Sequence, residues 1–235
     1  MIKQNRIVIL FFTICLTVGF AEGQVNQFDT NGKRHGLWTK NFEGTDQIRY
    51  SGEFNHGKEV DTFKFYTLSE GKSVLSAVRV FSSDSPIAKV SFYTSTGGLI
   101  SEGRMNGKIY IGEWTYYHKN LDVKMITENY NDSGELDGPK VVYYKNGKIA
   151  EESTYKNGKL QGRVSWYSES GNLFKFLTYN QDLLEGPGEY YDPNGNLGSK
   201  GSYSANKKIG EWLYYKGGKL YKKINHDTNT VTKID

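Results

Sequence analysis

The four histidines are the residues of this sequence best suited to acid–base catalysis or metal binding. None of them lies at metal-ligand spacing from another histidine or from a paired carboxylate. Two of them directly precede a glycine, which favours positions in turns. The sequence therefore predicts surface roles for the histidines and no metal site; they are His35, His56, His118 and His226.

A glutamate between a glycine and an aromatic residue is a second candidate for chemistry. Glu113 and Glu211 each follow a glycine and precede a tryptophan, and Glu189 is similar. Such a carboxyl group could act as a general acid, but catalysis needs one asymmetric set of residues, and repetition argues against it. No glycine-rich segment connects a strand to a helix, so we expect no phosphate-binding loop. We expect no catalytic residues, no cofactor and no enzyme activity.

Aromatic residues set a period in the chain, because pairs of them recur about every 24 residues. A fixed period of this size indicates a stack of similar supersecondary units, a class that usually binds partners and rarely catalyses. The pairs are Tyr116-Tyr117, Tyr143-Tyr144, Trp166-Tyr167, Tyr190-Tyr191 and Tyr214-Tyr215. A second marker with the same period is Phe28, Phe54, Phe81, Met105, Tyr130, Tyr155, Tyr179 and Tyr203.

One repeat reads as a β-hairpin. In residues 155–178, Asn157-Gly158 supplies the positive-φ positions of a tight turn, and a second turn contains Gly171. The segments between these turns alternate polar and apolar residues, as strands do. The predicted fold class is therefore all-β: tandem hairpins of about 24 residues form one elongated, twisted, open antiparallel sheet of roughly 14–16 strands, with almost no helix.

The first 23 residues have a different character from the rest. Lys3 and Arg6 precede a mostly apolar run, and small residues follow at Ala21 and Gly23. This pattern predicts a secretory signal peptide, residues 1–23, cleaved after Gly23 or, as the alternative, after Ala21. A retained membrane anchor is the other interpretation. Export would place the protein in the periplasm or outside the cell, with residues 24–235 as one domain of about eight repeats.

Composition excludes two further classes. The only cysteine, Cys15, lies in the predicted signal peptide, so the exported chain would have no disulfide. The chain has 30 basic and 26 acidic residues, a net charge of +4, and these are scattered without blocks. We therefore expect no nucleic acid partner.

The alternation of strand residues assigns the aromatic side chains to two faces. Trp114 and Tyr116 share one face, whereas Tyr117 points to the other. Under this interpretation Tyr117, Tyr167, Tyr191 and Tyr215 are mainly structural, although the two faces could exchange roles. The candidate partner-contact residues are Trp114, Tyr116, Tyr190, Trp212 and Tyr214.

The repeat resembles a known family. The unit from Tyr155 through Gly158 to Gly162, followed by Trp166-Tyr167 and Gly171, resembles the MORN repeat, and most closely the bacterial variant of YwqK-type antitoxin or immunity proteins. The best match runs over residues 105–220. The resemblance implies consecutive hairpins in a trough-like sheet, contact with proteins or lipids and, in some relatives, neutralisation of a partner toxin. It brings no catalytic residues.

Taken together, these features predict an exported, non-enzymatic repeat protein. We expect it to act as a protein-interaction scaffold or immunity-type module of the cell envelope. Tyrosine and tryptophan supply large contact areas with polar tips, which suits a protein partner. The alternative is a glycan- or lipid-binding module that uses the same aromatic face.

Overall fold

A computed structural model describes residues 25–82 and 85–234, and these residues form strands and turns without a helix. The predicted signal peptide lies outside the described residues. Within the described ranges, no helix has the length and apolar character needed to cross a membrane. The strands are β1 (Gln27–Phe28), β2 (Arg34–Asn41), β3 (Ile48–Asn55), β4 (Lys58–Ser69), β5 (Lys72–Phe81), β6 (Ile87–Tyr93), β7 (Leu99–Asn106), β8 (Ile109–Tyr117), β9 (Lys124–Tyr130), β10 (Gly138–Tyr143), β11 (Ile149–Lys156), β12 (Lys159–Leu160), β13 (Gly162–Tyr167), β14 (Leu173–Asn180), β15 (Leu183–Tyr191), β16 (Leu197–Ser204), β17 (Lys207–Lys216), β18 (Lys219–Asn225) and β19 (Thr230–Lys233).

The strands form one open antiparallel sheet in which neighbours in sequence are neighbours in space, which confirms the predicted fold class. The sheet has 19 strands, so the prediction of 14–16 was too low. Short strands at the two ends, β1 and β19, account for part of the difference. In addition, the chain breaks at Gln161, so β12 and β13 lie end to end and both pair with β11.

Each of the eight hairpins has an opening strand and a returning strand. The opening strands are β2, β4, β6, β8, β10, β12–β13, β15 and β17. In every hairpin the register shifts at an equivalent position, for example between Tyr116 and Tyr117 and between Trp166 and Tyr167. In the fifth hairpin the shift lies between Val142 and Tyr143, so the structural equivalent of the aromatic pair is Val142-Tyr143 and not Tyr143-Tyr144. An extra residue in the returning strand bends the ladder at that point, a β-bulge that recurs with the repeat.

A residue with left-handed backbone conformation recurs near the start of seven opening strands. It is a glycine in six of them, and Asp61 (φ 54°) takes its place in the second repeat. In the first, fourth and last repeats the kink at this residue brings together the side chains two positions before it and two positions after it. We call these the cover residue and the central residue of the repeat. The left-handed residues are Gly36, Asp61, Gly112, Gly138, Gly162, Gly186 and Gly210.

The core is built from the central residues. The largest fully buried side chains are all at this position, namely Phe63, Val90, Trp114, Val164 and Trp212. Three of them belong to two core clusters: Val90 and Trp114 lie in the first, and Trp212 lies in the second, where it packs with Leu177 and Tyr203. Between the clusters the same face carries a buried ion pair, in which Lys140 Nζ lies 3.3 Å from Glu128 Oε2.

Candidate partner-binding surface

Trp114 is covered on both sides of its indole ring. Tyr110, the cover residue, stacks on one side with ring centroids 3.9 Å apart. Gly103 of the preceding returning strand lies against the other side, where a Cβ atom would come within 2.4 Å of the indole. The indole N–H donates to the carbonyl oxygen of Arg104 at 3.0 Å, so the buried donor is satisfied. The side chain is 0% exposed.

Trp212 occupies the same position in the last repeat. Its cover residue is Lys208, whose Nζ lies 3.9 Å above the ring centroid, and Gly201 lies beneath the ring. The indole N–H donates to the carbonyl oxygen of Ser202 at 3.1 Å, and the side chain is 0% exposed. Two of the five candidate contact residues therefore offer no surface to a partner in this conformation.

The three tyrosines of the candidate set share the face of the buried indoles and are partly exposed. Tyr116 packs on the first core cluster, and burial raises its pKa to about 12. Tyr190 and Tyr214 pack on the second cluster. The Tyr190 hydroxyl lies 2.9 Å from the Tyr203 hydroxyl, whereas the ring of Tyr214 lies under Lys222 Nζ at 4.5 Å. The ring edges of these three tyrosines are thus the accessible part of the five candidate contact residues.

The opposite face holds tyrosine–glutamate hydrogen bonds. The Tyr117 hydroxyl donates to Glu102 at 2.8 Å, and the Tyr167 hydroxyl donates to Glu152 at 2.7 Å. Burial, followed by the bond to Glu102, raises the pKa of Tyr117 to about 12. At physiological pH these phenols remain neutral donors. They cross-link neighbouring strands on that face of the sheet.

A cleft of about 1040 Å³ opens across the first three repeats, on the face of the sheet that carries Trp114 and Tyr116. Its apolar floor is formed by Phe54, Phe81, Ala88 and Met105. All of these except Ala88 belong to the second series of residues that recurs with the repeat period. The third repeat has Val90 as its central residue, where the first, second, fourth and last repeats have an aromatic ring. We infer that the reduced side-chain volume there leaves the space open.

Charged side chains line the rim of this cleft. Arg79 Nη1 lies 3.4 Å from Glu59 Oε2, and its guanidinium is 5.2 Å from the centroid of the Phe65 ring. Lys58 is exposed on the same rim. An apolar floor with a few charged groups around it is typical of a recognition site.

The histidines lie apart from one another, except for one contact near the start of the sheet. His35 and His56 have ring centroids 4.9 Å apart, and His56 Nδ1 lies 2.7 Å from Asp29 Oδ2. His118 Nε2 lies 3.0 Å from the carbonyl oxygen of Tyr143. In residues 25–82 and 85–234, no three His, Asp or Glu side chains are grouped so that they could hold a metal ion.

The cover residues are the feature that strand alternation alone did not identify. A signal was present, because the pattern cover-x-Gly-x-central is readable in Tyr110 to Trp114 and in Lys208 to Trp212. Strand alternation places both side chains on one face but does not predict that they stack. That stacking depends on the left-handed φ of the glycine between them, 63° at Gly112 and 59° at Gly210.

The strand pairings and the recurrent kink define this chain as a tandem β-hairpin repeat protein. A family model described as a MORN repeat variant matches residues 136–157 and 184–205. Each match begins at a cover residue, Leu136 or Leu184, and spans an opening and a returning strand. These two segments are therefore similar to MORN repeats, whereas the narrower antitoxin-type resemblance stays a prediction. No curated protein matches the chain.

Proposed function

We propose that this chain is a non-enzymatic protein-interaction module of the cell envelope that docks a partner along the face carrying the cleft. The observation that carries this proposal is the position of the cleft. It lies on the same face as Tyr116, Tyr190 and Tyr214, whereas Trp114 and Trp212 on that face are covered. The contact surface is therefore the cleft with the exposed tyrosine edges, and the indoles support it from beneath.

The chemistry of the cleft suits a protein side chain. Phe81 is partly exposed in the cleft, and the largely buried Phe54 and Met105 form the apolar floor around it; aromatic residues and methionine are enriched where proteins bind each other. Arg79 and Lys58 at the rim add the polar groups that give orientation. A partner residue that enters the cleft would lose its water against this apolar floor.

Site-specific photo-cross-linking tests the face. Lys58 and Lys64 lie on the same strand, β4, and both are exposed, but only Lys58 lines the cleft. Lys64 pairs with Val78 and Ser51 on the opposite face. A cross-linkable residue at position 58 should capture a defined protein partner, and the same residue at position 64 should not. Equal capture from both positions would contradict the proposal.

The class of partner is tested in parallel. The protein whose identity emerges from cross-linking should bind the purified chain with saturation, and Lys58→Glu, at an exposed residue of the rim, should weaken that binding while the unfolding midpoint stays close to that of the parent. Saturable binding to glycans or liposomes without any protein partner would favour the alternative module. Turnover of a substrate would contradict both. An immunity-type role additionally requires that the captured partner be a toxin whose activity the chain suppresses.

Export is part of the same proposal and is supported by the basic and apolar character of the first residues. Lys3, Arg6 and the following apolar run predict cleavage after Gly23. N-terminal sequencing of the protein from cell envelope and medium should give Gln24 as the first residue. An intact Met1 on a cytosolic product would contradict export.

A further inference from the structure

A row of paired residues crosses the C-terminal strands on the face of the cleft. Starting from β13, each residue lies directly opposite the next, so all their side chains point to the same face. We call this set the lysine–aromatic row. It consists of Trp166, Lys175, Tyr190, Ser199, Tyr214 and Lys222.

The lysines of this face lie on aromatic rings. Lys175 Nζ is 4.1 Å from the centroid of the Trp166 ring, and Lys222 Nζ is 4.5 Å from that of Tyr214. The cover residue Lys208 lies 3.9 Å above Trp212 beside the row. The rings fix the ammonium groups in place by cation–π attraction. None of these three lysines forms an ion pair within the described residues, so their charges are available to a ligand.

The carboxylates of the same strands are engaged elsewhere. Glu189 lies opposite Lys200, and Glu211 pairs with Lys223 at 3.2 Å, both on the other face. Glu185 accepts hydrogen bonds from Ser204 and Ala205 at a hairpin end. Glu151, next to the row on β11, accepts the indole N–H of Trp166 at 2.7 Å. The part of the row from Lys175 to Lys222 is therefore a positively charged surface that contains no carboxylate.

We propose that the lysine–aromatic row binds an acidic, extended polypeptide segment of the partner, an inference that rests on the proposed protein-binding function. Lys175 and Lys222 lie on β14 and β18, four strand spacings or about 19 Å apart. An extended peptide covers that distance with about six residues. Carboxylates on such a segment would reach the ammonium groups, and aliphatic or aromatic side chains between them would contact Tyr190 and Tyr214.

Two other ligand classes fit this row less well. A sugar needs an open aromatic face, but ammonium groups lie over Trp166 and Tyr214. A lipid bilayer needs basic side chains that project from the surface towards its headgroups. Here the ammonium groups lie against the rings, in a line that crosses the strands.

The test measures how tightly the purified protein binds a labelled acidic peptide. The probe is a fluorescein-labelled peptide of about eight residues that alternates glutamate and serine, and its control has glutamine for each glutamate. The variant Lys175→Gln/Lys222→Gln removes two charges from the row. The matched control, Lys64→Gln/Lys200→Gln, removes two charges from the opposite face. All proteins are compared by fluorescence anisotropy at low and physiological salt, with equal unfolding midpoints as the condition for comparison.

We expect the glutamate peptide to bind and the glutamine peptide to bind much more weakly. The row variant should lose about three- to tenfold in affinity, as expected for two partly exposed charge pairs, and the control variant less than about twofold. Equal losses in both variants, or no preference for glutamate, would overturn the inference. Binding to phosphatidylserine vesicles but not to the peptide would also overturn it in favour of a membrane surface. If the cross-linked partner binds the row variant as tightly as the parent, this inference fails while the proposed function stands.

Discussion

At the scale of single residues, the sheet packs large side chains against glycines of the neighbouring strand. Trp114 lies on Gly103, and Trp212 lies on Gly201. In the seventh repeat the large and the small residue exchange places. Leu177 of the preceding returning strand stands where the two repeats just described have glycine, and Gly188 stands at the central position. In each of these pairs one large side chain thus faces one glycine, which allows close packing within a single layer. A single sheet can bury its aromatic residues in this way without a second layer.

Substitution of Gly103 tests this packing. The Gly103→Ala protein should be less stable than the parent by about 1–3 kcal/mol, because the new Cβ would come within 2.4 Å of the Trp114 ring. Urea unfolding followed by circular dichroism measures the loss. Gly98→Ala is the matched control, since its nearest contact is the Thr94 hydroxyl at 3.3 Å. Similar losses in the two variants would show that the ring does not rest on Gly103.

Asp29 gives a pH-dependent contribution at the first turn. A hydrogen bond from His56, followed by one from the backbone N–H of Lys33, lowers the pKa of Asp29 to about 2 from its ordinary value of 3.8. A lowered folded-state pKa means that the stabilisation is complete above pH about 4 and is lost as the pH falls through about 2. NMR titration of the carboxyl carbons should show this low pKa at Asp29, and His56→Ala should raise it. An ordinary pKa at Asp29 would contradict the contact with His56.

At the scale of the hairpin, backbone conformation explains where glycine is required. Gly158 has a φ value of 78°, which confirms the positive φ expected at its turn, and Gly195, in the turn of the seventh hairpin, has a φ value of 85°. The turn before the sixth repeat also holds Asn157 at φ 47°, so both of its central residues are left-handed. Such turns match the right-handed twist of the strands that they connect. The left-handed residues inside the opening strands have a different effect, because they place the cover residue over the central residue.

Replacing the turn glycines should destabilise the repeat in which each lies. Gly158→Val and Gly195→Val should each cost about 1–3 kcal/mol, because a β-branched residue rarely adopts this φ. Gly158→Asn is the matched control and should cost less, since asparagine tolerates the left-handed region. Thermal unfolding of the three variants measures the differences. An equal loss for valine and asparagine at position 158 would show that φ is not the cause.

At the scale of the whole molecule, the buried face is interrupted near its middle. The buried residues of the first core cluster lie in β6–β8, and those of the second lie in β14–β17. Glu128 and Lys140 separate them, and the Tyr130 hydroxyl also donates to Glu128 at 2.5 Å. Each repeat contacts only its neighbours, so stability is close to a sum of local terms. A polar junction therefore weakens the coupling between the two halves.

Hydrogen exchange tests whether the halves unfold separately. Trp114→Ala removes the central ring of the first cluster and should increase amide exchange in β6–β9, while β14–β18 keep the protection of the parent protein. Trp212→Ala is the reciprocal variant and should affect β14–β18 alone. Uniform loss of protection across the sheet in either variant would show a single cooperative unit.

The sequence by itself determined the repeat, the hairpins and the turn glycines, because these depend on backbone conformations that a few adjacent residues impose. It also placed Trp114 and Tyr116 on one face and Tyr117 on the other, since alternation follows from strand geometry. The number of strands was underestimated because the break at Gln161 and the short end strands leave no periodic signal.

Only the tertiary structure decided which face is buried and which of its aromatic side chains are accessible. Trp114 and Trp212 are covered because a left-handed residue folds Tyr110 and Lys208 back over them, and because glycines of another strand lie beneath. The cleft between Phe54 and Met105 and the row from Trp166 to Lys222 join residues of several strands. Their neighbours are set by strand register and side-chain volume across the sheet, which the spacing of residues along one strand does not contain.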